Sequence, residues 1–145
     1  MLVGHILGSK GREIVAIAAE ATLCEAAELL ATRRIGAVVV QGARGELAGI
    51  FSERDIVRAI SRDGAAALSK PVNRFMTRDV ATCVESDSID ELMEMMTRGR
   101  FRHVPVVDCK GALVGIVSIG DVVKSRIEET VREAATLRQY IGAAS

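Results

Sequence analysis

Short, almost wholly apolar runs alternate along the chain with longer segments in which apolar residues recur every three or four positions. The short runs are too hydrophobic for solvent-facing strands and predict buried β-strands. They lie at 35–40, 47–51, 103–107 and 113–117. Two further β-rich runs, at 13–17 and 80–84, precede the first helical segment of each half.

The helical segments begin with recognisable start signals. Thr22-x-x-Glu25 and Ser88-x-x-Glu91 are capping boxes, in which a hydroxyl and a carboxylate satisfy the first free amides of a helix. Two more helices are expected directly after Ser52 and Ser118. The last helix is expected to run from about residue 122 to about residue 141. Its apolar side predicts contact with the module or with a partner chain and consists of Ile127, Val131, Ala134, Ala135, Leu137 and Ile141.

The second half of the chain repeats the first at an offset of 66 residues. Residues 15–58 align with residues 81–124 without a gap, and 12 of the 44 positions are identical. Both copies follow the order β-α-β-β-α, which predicts an α/β (α+β) fold of two homologous units. We place the first repeat and a short head at 1–66, the second repeat at 67–125 and a helical extension at 126–145. The small and polar stretch 61–69 is expected to link the repeats.

Composition narrows the classes of function. The chain has 145 residues, and its 19 Lys plus Arg are balanced by 19 Asp plus Glu, so no nucleic acid or anionic membrane is expected as a partner. The length excludes a catalytic barrel of roughly 250 residues. No stretch reaches the ~18 apolar residues of a membrane helix. The cysteines are few and scattered, which favours reduced thiols in a cytoplasmic protein without a metal site; they are Cys24, Cys83 and Cys109.

The strongest motif is Gly-Ile-x-Ser-x-x-Asp, which occurs at 49–55 and again at 115–121. Each copy lies where a buried strand ends and a helix begins, a junction at which α/β proteins often bind ligands. A serine followed three residues later by an acid is also an ordinary helix cap. The same carboxylate can accept hydrogen bonds from two hydroxyls of a vicinal diol. Capping and ligand contact therefore both remain open, separately or together.

These features resemble the cystathionine-β-synthase-type (CBS) domain. The resemblance rests on the duplicated motif, on the strand 38–40 and on the run Arg-His-Val-Pro-Val-Val-Asp at 102–108, and it covers about residues 10–125. Two such domains in tandem resemble a Bateman module, in which the units pack through their sheets with pseudo-twofold symmetry. The resemblance implies up to two clefts for adenosine-containing ligands such as AMP, ADP, ATP, NAD(H) or S-adenosylmethionine. It also implies a flat homodimer formed through helices.

The resemblance assigns roles residue by residue. It implies that Asp55 and Asp121 bind ribose hydroxyls, with Ser52 and Ser118 beside them. The openings of two strands would line the adenine and phosphate ends of the ligand. These openings are Ile35, Gly36 and Ala37 in the first repeat and Arg102, His103 and Val104 in the second.

The two copies differ at positions that would face a ligand. Arg54 precedes the acid in the first repeat, whereas Gly120 precedes it in the second, so we expect clefts of different affinity. Lys10 and Arg12 stand just before the first strand. They form either a loop that contacts an anion or part of a flexible terminus.

Three classes of function compete for this sequence. The leading hypothesis is a non-catalytic regulatory module that binds an adenine nucleotide and acts in trans, as an energy or redox sensor, on a partner protein. The second is a ligand-independent interaction scaffold, in which the Ser–Asp pairs only cap helices. The third is an enzyme, because similar strings occur within inosine monophosphate dehydrogenases. The chain is too short for the catalytic barrel of those enzymes, and the sequence shows no Ser-His-Asp or Cys-His pattern typical of nucleophilic catalysis.

Overall fold

The computed structural model describes residues 1–144, in which two small sheets carry the strands and helices lie around them. The four apolar runs form strands, as the sequence predicts, because each run is long enough for only one buried strand. The main elements are α1 (Val3–Lys10), β1 (Ala16–Ala18), α2 (Leu23–Arg33), β2 (Ala37–Gln41), β3 (Leu47–Ser52), α3 (Glu53–Asp63), α4 (Ile89–Gly99), β4 (His103–Val107), β5 (Leu113–Ser118) and α5 (Ile119–Ala144).

The sheet of the first repeat has the order β1-β2-β3. Strand β1 is parallel to β2, whereas β2 and β3 form an antiparallel hairpin in which Val39 lies opposite Ile50. Gly45 closes that hairpin with a φ of 79°, a left-handed conformation that favours glycine. The hairpin β4–β5 repeats this pairing, with Pro105 opposite Ile116. Ser52 and Ser118 therefore end equivalent strands.

The expected strand at 80–84 is wrong: only a single parallel bridge, from Cys83 to Val106, forms there. In the first repeat the amide of Val39 donates to the carbonyl of Val15 at 3.1 Å, which extends the parallel pairing. The equivalent residue in the second repeat is Pro105, which has no N–H to donate. On the other side of the bridge the chain turns at 85–86, and the amide of Val84 donates to the Asp87 carboxylate at 2.9 Å.

The stretch 61–69, expected to be a polar linker, is helical. Helix α3 continues through Asp63, and a 3₁₀ helix follows over Gly64–Ser69, with a second short one at Val72–Arg74. Ala67 and Val72 are fully buried in the core of the first repeat, so this connection is part of the packed structure.

The N-terminal head is a helix that packs on the second repeat. Val3, Ile6 and Leu7 of α1 are buried in the same core as the side chains of α4, β4 and β5. Helix α1 packs so closely against β5 that a Cβ on Gly115 would lie 2.8 Å from the Leu7 side chain. The head, grouped by sequence position with the first repeat, thus supplies part of the second repeat's core. The division of the chain into 1–66, 67–125 and 126–145 remains a prediction.

Candidate ligand-binding clefts between the repeats

Each copy of the duplicated motif caps its own helix. The amide and hydroxyl of Ser52 donate to Oδ2 of Asp55 at 2.9 and 3.2 Å. The amide of Ser118 donates to Oδ2 of Asp121 at 2.9 Å, and the amide of Asp121 donates to the Ser118 hydroxyl at 3.2 Å. The capping bonds use Oδ2 in both repeats. Oδ1 of each carboxylate takes no part in them, so capping leaves acceptor capacity for another partner.

Asp121 lies in a cavity of about 450 Å³, here called the Asp121 cavity. It is formed by the end of α1, the end of α2, the beginning of β2 and the β5–α5 junction. Its lining includes Lys10, Glu13, Arg33, Arg34, Ile35, Gly36, Ala37, His103, Ile116, Ser118 and Asp121.

Asp55 lies in a second cavity of about 350 Å³, here called the Asp55 cavity. It is formed by the β3–α3 junction, the end of α4 and the beginning of β4. Its lining includes Gly36, Ser52, Glu53, Arg54, Asp55, Arg58, Thr77, Arg100, Phe101, Arg102, His103 and Ser118.

The two cavities are built crosswise, so that each combines the acid of one repeat with the strand opening of the other. Asp121 of the second repeat shares its cavity with Ile35, Gly36 and Ala37 of the first. Asp55 of the first repeat shares its cavity with Arg102 and His103 of the second. An object in either cavity therefore touches both repeats.

Gly36 and His103 form the wall common to both cavities. A Cβ on Gly36 would lie 3.3 Å from Cε1 of His103, so the imidazole packs closely against the first repeat's backbone. Equivalent backbone hydrogen bonds flank this contact. The amide of Glu53 donates to the carbonyl of Gly36 at 3.0 Å, and the amide of Ile119 donates to the carbonyl of Arg102 at 2.8 Å. Burial, followed by the nearby positive charges of Lys10 and Arg102, lowers the pKa of His103 against the opposing influence of Asp121 and Glu53.

Lys10 is the residue that distinguishes the Asp121 cavity. Its ammonium group donates to Oδ2 of Asp121 at 2.7 Å and to the carbonyl of Ile116 at 2.9 Å. Burial of the Asp121 carboxyl is the largest single influence and raises its pKa. The hydrogen bonds from Lys10 and Ser118, together with the lysine charge, outweigh it and hold the pKa of Asp121 below its ordinary value.

Asp55 has no lysine partner. Its carboxylate is 5% exposed, and the nearest cation, Arg58, lies 3.8 Å away with a largely exposed side chain. Burial dominates here and raises the pKa of Asp55, although the hydrogen bonds from Ser52 and the charge of Arg58 act in the opposite direction. The two acids thus occupy equivalent positions in different electrostatic surroundings.

Most of the residues predicted for the site lie in one of the two cavities, but Arg12 and Val104 lie in neither. Arg12 forms an ion pair with Glu85. Val104 is fully buried in the core of the second repeat, because alternation along β4 turns its side chain away from His103. Lys10 is not part of a loose terminus, since it ends a helix docked on the second repeat.

The site also contains arginines that sequence reasoning missed as site residues. Arg34 and Arg100 end α2 and α4 in the left-handed conformation, with φ of 54° and 57°, which is uncommon for a residue other than glycine. Arg34 lines the Asp121 cavity and Arg100 the Asp55 cavity. The two positions are identical when the repeats are aligned. That identity is the signal in the sequence that could have identified them.

The cavities differ in charge. The Asp55 cavity is lined by the carboxylates Glu53 and Asp55 and by four arginines, which are Arg54, Arg58, Arg100 and Arg102. The Asp121 cavity is lined by the carboxylates Glu13 and Asp121 and by three cations, which are Lys10, Arg33 and Arg34. Both carry excess positive charge in a chain of zero net charge.

Other chemistry is sparse in the described residues. No group of three or more His, Cys, Asp or Glu side chains within residues 1–144 is arranged to hold a metal ion. Burial, reinforced by the negative charge of Asp87, raises the pKa of the Cys83 thiol to about 12, so this cysteine behaves as a core residue. None of the helices in the described chain combines the length and apolarity needed to cross a bilayer.

Comparison with known proteins identifies the family. The model of the CBS domain matches residues 3–62 and again residues 72–128. The chain therefore belongs to the CBS domain family and carries two copies of the domain. A crystal structure of a CBS-domain containing protein from Agrobacterium tumefaciens is 49% identical and superimposes with a TM-score of 0.84, covering 86% of this chain and 92% of that one.

A curated relative, the mitochondrial CBS domain-containing protein CBSX3 of Arabidopsis thaliana, is 36% identical over 124 residues. These residues are 83% of this chain and 60% of the relative. The chain likewise covers 63% of an uncharacterized 17.7 kDa protein of Acidianus ambivalens. This chain thus spans somewhat less than two thirds of the length of these relatives.

Two structural neighbours contain adenosine compounds. A CBS domain protein from Pyrobaculum aerophilum, complexed with AMP, is 31% identical with a TM-score of 0.75, covering 83% of this chain and 89% of that one. The CBS domain pair of protein MJ0100, in complex with 5′-methylthioadenosine and S-adenosyl-L-methionine, is 28% identical with a TM-score of 0.76 and coverages of 86% and 98%.

Proposed function

We propose that this chain is a non-catalytic regulatory module that binds an adenosine-containing nucleotide between its two CBS repeats. Candidate ligands are AMP, ADP, ATP and NAD(H), and S-adenosylmethionine belongs to the same chemical class. The observation that carries the proposal is the crosswise construction of the two cavities, each with a helix-capping aspartate from one repeat and a strand opening from the other. Relatives that hold AMP or S-adenosyl-L-methionine support it.

The aspartates suit a ribose because a carboxylate accepts hydrogen bonds from two neighbouring hydroxyls. In both repeats the cap occupies Oδ2, which leaves Oδ1 for the sugar. Ile35, Gly36 and Ala37 provide an apolar wall with little side-chain bulk, which suits a purine. The arginines that line the cavities suit phosphates, since a guanidinium matches phosphate oxygens in two parallel hydrogen bonds.

We further propose that the Asp55 cavity binds phosphorylated ligands first. Its carboxylate has no lysine partner, and four arginines line it. In the Asp121 cavity the ammonium of Lys10 already donates to Oδ2 of the carboxylate at 2.7 Å, which makes that carboxylate a weaker acceptor for a ribose at Oδ1. A ligand phosphate bound there would share the ammonium of Lys10 with Asp121.

Regulation would follow from a population shift. A ligand that contacts both repeats stabilises the arrangement in which the cleft is closed around it, to the extent that it binds that arrangement more tightly. A partner protein recognises one arrangement, so the module acts in trans as an energy or redox sensor. A cytoplasmic homodimer, without nucleic-acid or membrane partners, is the setting that we propose for this activity.

Thermal denaturation with AMP, ATP, NADH, S-adenosylmethionine and adenosine tests the binding function. A ligand at one hundred times its Kd should stabilise the protein by about 2.7 kcal/mol. We expect Asp55→Asn to weaken binding of the best ligand about tenfold to a hundredfold, because the amide is a poorer acceptor for two hydroxyls. The amide oxygen can still accept from the Ser52 amide, so the helix cap survives. Asp121→Asn reports on the other cavity in the same way.

Asp90→Asn is the matched control, because Asp90 lies on the second repeat outside both cavities and should leave affinity unchanged. Unchanged affinity in Asp55→Asn, Asp121→Asn and the double variant would exclude the ribose assignment. The melting temperature of each ligand-free variant separates a binding defect from a loss of helix capping.

The second candidate is a ligand-independent interaction scaffold. It is favoured by one observation: in both repeats the aspartate accepts hydrogen bonds from its own helix cap. A scaffold predicts no thermal stabilisation by any of the five compounds. It also predicts that both Asp→Asn variants bind a protein partner as the unsubstituted chain does.

A further inference from the structure

The last part of α5 projects from the domain pair with an apolar side in solvent. Every residue from Thr130 to Ala143 is exposed. Large apolar side chains in this part of the helix include Leu137, which is 59% exposed, and Ile141, which is 61% exposed. Most helical stability in proteins comes from packing of an amphipathic face, so an exposed apolar face at this position fits a partner.

The exposed side chains follow a heptad pattern. Ile127, Ala134 and Ile141 take the a positions, and Thr130 and Leu137 take the d positions, with Val123 one heptad earlier at d. An a/d stripe repeating every 3.5 residues is the seam of a coiled coil. Within parallel coiled coils, isoleucine at a with leucine at d, as at Ile141 and Leu137, favours two strands over three or four. Val131 at e and Tyr140 at g, both mostly exposed, widen the apolar face.

The charges beside the seam distinguish parallel from antiparallel pairing. Glu133 at g and Arg138 at e are five residues apart, so parallel pairing brings Glu133 of each copy next to Arg138 of the other. Antiparallel pairing with the same apolar layers places Glu133 opposite its own copy and Lys124 opposite Arg138. Antiparallel pairing therefore creates three repulsive contacts, because the Lys124–Arg138 contact occurs twice, whereas parallel pairing creates two attractive ones.

We propose that residues 123–143 of α5 pair in parallel with the same helix of a second copy, forming a two-stranded coiled coil that extends from the CBS pair. The occupant of the exposed face is thus this chain itself. The inference stands on the helix pattern and its charges, and it does not depend on the nucleotide proposal.

Sedimentation velocity of the full chain, over a range of concentrations, tests the pairing. We expect a dimer, and we expect the double variant Leu137→Asp/Ile141→Asp to raise the dimer Kd by roughly a hundredfold or more, because four apolar side chains leave the seam. Gln139→Asp is the matched control at an outward f position and should leave the Kd unchanged. A monomeric unsubstituted chain, or a double variant that dimerises as well as the control, would overturn the proposal.

Disulfide trapping tests the direction of pairing. Thr130→Cys, in a background in which Cys24 and Cys109 are serine, places two thiols opposite each other only in parallel pairing. We expect rapid formation of a covalent dimer under mild oxidation. Antiparallel pairing would instead cross-link Thr130→Cys with Ala134→Cys in a mixture of the two variants, and that outcome contradicts the proposal. Adenosine ligands tested on Leu137→Asp/Ile141→Asp keep the two proposals separable, since nucleotide binding should survive there.

Discussion

At the scale of single residues, Asp55 and Asp121 do the same local work in different surroundings. Both cap a helix through Oδ2, as the repeated motif requires. Burial of Asp55 outweighs the cap and the exposed Arg58, and its pKa is raised; Asp121 is less buried and is paired with Lys10, and its pKa is lowered. A lysine from a distant helix thus helps to give the two acids opposite shifts. Equivalent motif positions need not have equivalent affinities.

The Lys10–Asp121 pair gives a pH-dependent contribution to stability with a definite sign. Because the folded-state pKa of Asp121 lies below the ordinary value of 3.8, its contribution is present above that pH and is lost as pH falls through the folded-state pKa. Lys10→Met should lower the melting temperature at pH 7, and the difference from the unsubstituted chain should shrink at pH values below about 4. Calorimetry between pH 3 and pH 7 measures this.

The control for that experiment is Asp121→Asn. In this background the carboxylate is absent, so Lys10→Met should remove only the hydrogen bond to the Ile116 carbonyl and cause a small, pH-independent change. Asp55 contributes with the opposite sign, since its raised pKa makes ionisation of the folded state unfavourable as pH rises. A Lys10→Met deficit equal at pH 3 and pH 7 would contradict the role given to Lys10.

At the scale of elements, the two repeats differ because one proline changes a ladder. Pro105 stands where the first repeat has Val39, and without its N–H the strand that should open the second repeat is reduced to one bridge at Cys83. Helix α1 packs on the hydrophobic core of that repeat. Through Lys10 the same helix also reaches the Asp121 cavity. Docking of α1 thus couples the stability of the second repeat to the Asp121 cavity.

Leu7→Ala tests this coupling. Leu7 is 1% exposed and lies against Gly115, so the substitution should cost about 2–5 kcal/mol of unfolding free energy through lost burial and the cavity left behind. Denaturant unfolding measures the loss, and hydrogen exchange should locate the increased opening in α4, β4 and β5. Leu2→Ala is the control, because that side chain is 41% exposed and should cost less than about 1 kcal/mol. Equal losses in the two variants would mean that α1 does not stabilise the repeat.

At the scale of the whole molecule, the net charge is zero, but positive charge is concentrated around the two cavities. Lys plus Arg equal Asp plus Glu over the chain, yet both cavities carry more cations than carboxylates. Cavities of this sign attract anionic ligands while the remaining surface has no general affinity for polyanions. The arrangement suits a small phosphorylated ligand better than a nucleic acid.

Arg102→Gln should therefore weaken ligands in proportion to their phosphates. Arg102 is exposed and lines the Asp55 cavity, where its guanidinium can pair with phosphate oxygens. We expect the affinity for ATP to fall about tenfold and that for adenosine to change little, as measured by isothermal titration calorimetry. The control is Arg44→Gln, an exposed residue outside both cavities. Equal losses for adenosine and ATP would remove the phosphate role of Arg102.

Much of this architecture can be predicted from local pattern. The repeat, the hairpins and the helix starts follow from short-range spacing, because apolar periodicity and capping act within a few residues. The same locality explains the misses. The strand expected at 80–84 does not form because the neighbouring strand has Pro105 at the pairing position. Val104, predicted to line the cleft, lies in the core because side chains alternate along β4. Arg34 and Arg100 required attention to helix ends rather than to strands.

By itself, then, the sequence determined a duplicated β-α-β-β-α chain with a long final helix. It also determined that each copy has an aspartate where its last strand meets its last helix. Only the tertiary structure decided that each acid faces the strand opening of the other repeat, that α1 docks on the second repeat, and that Lys10 pairs with Asp121. The physical reason is distance along the chain. Lys10 and Asp121 are 111 residues apart, and packing of α1 into the core of the second repeat, rather than any local rule, brings them together.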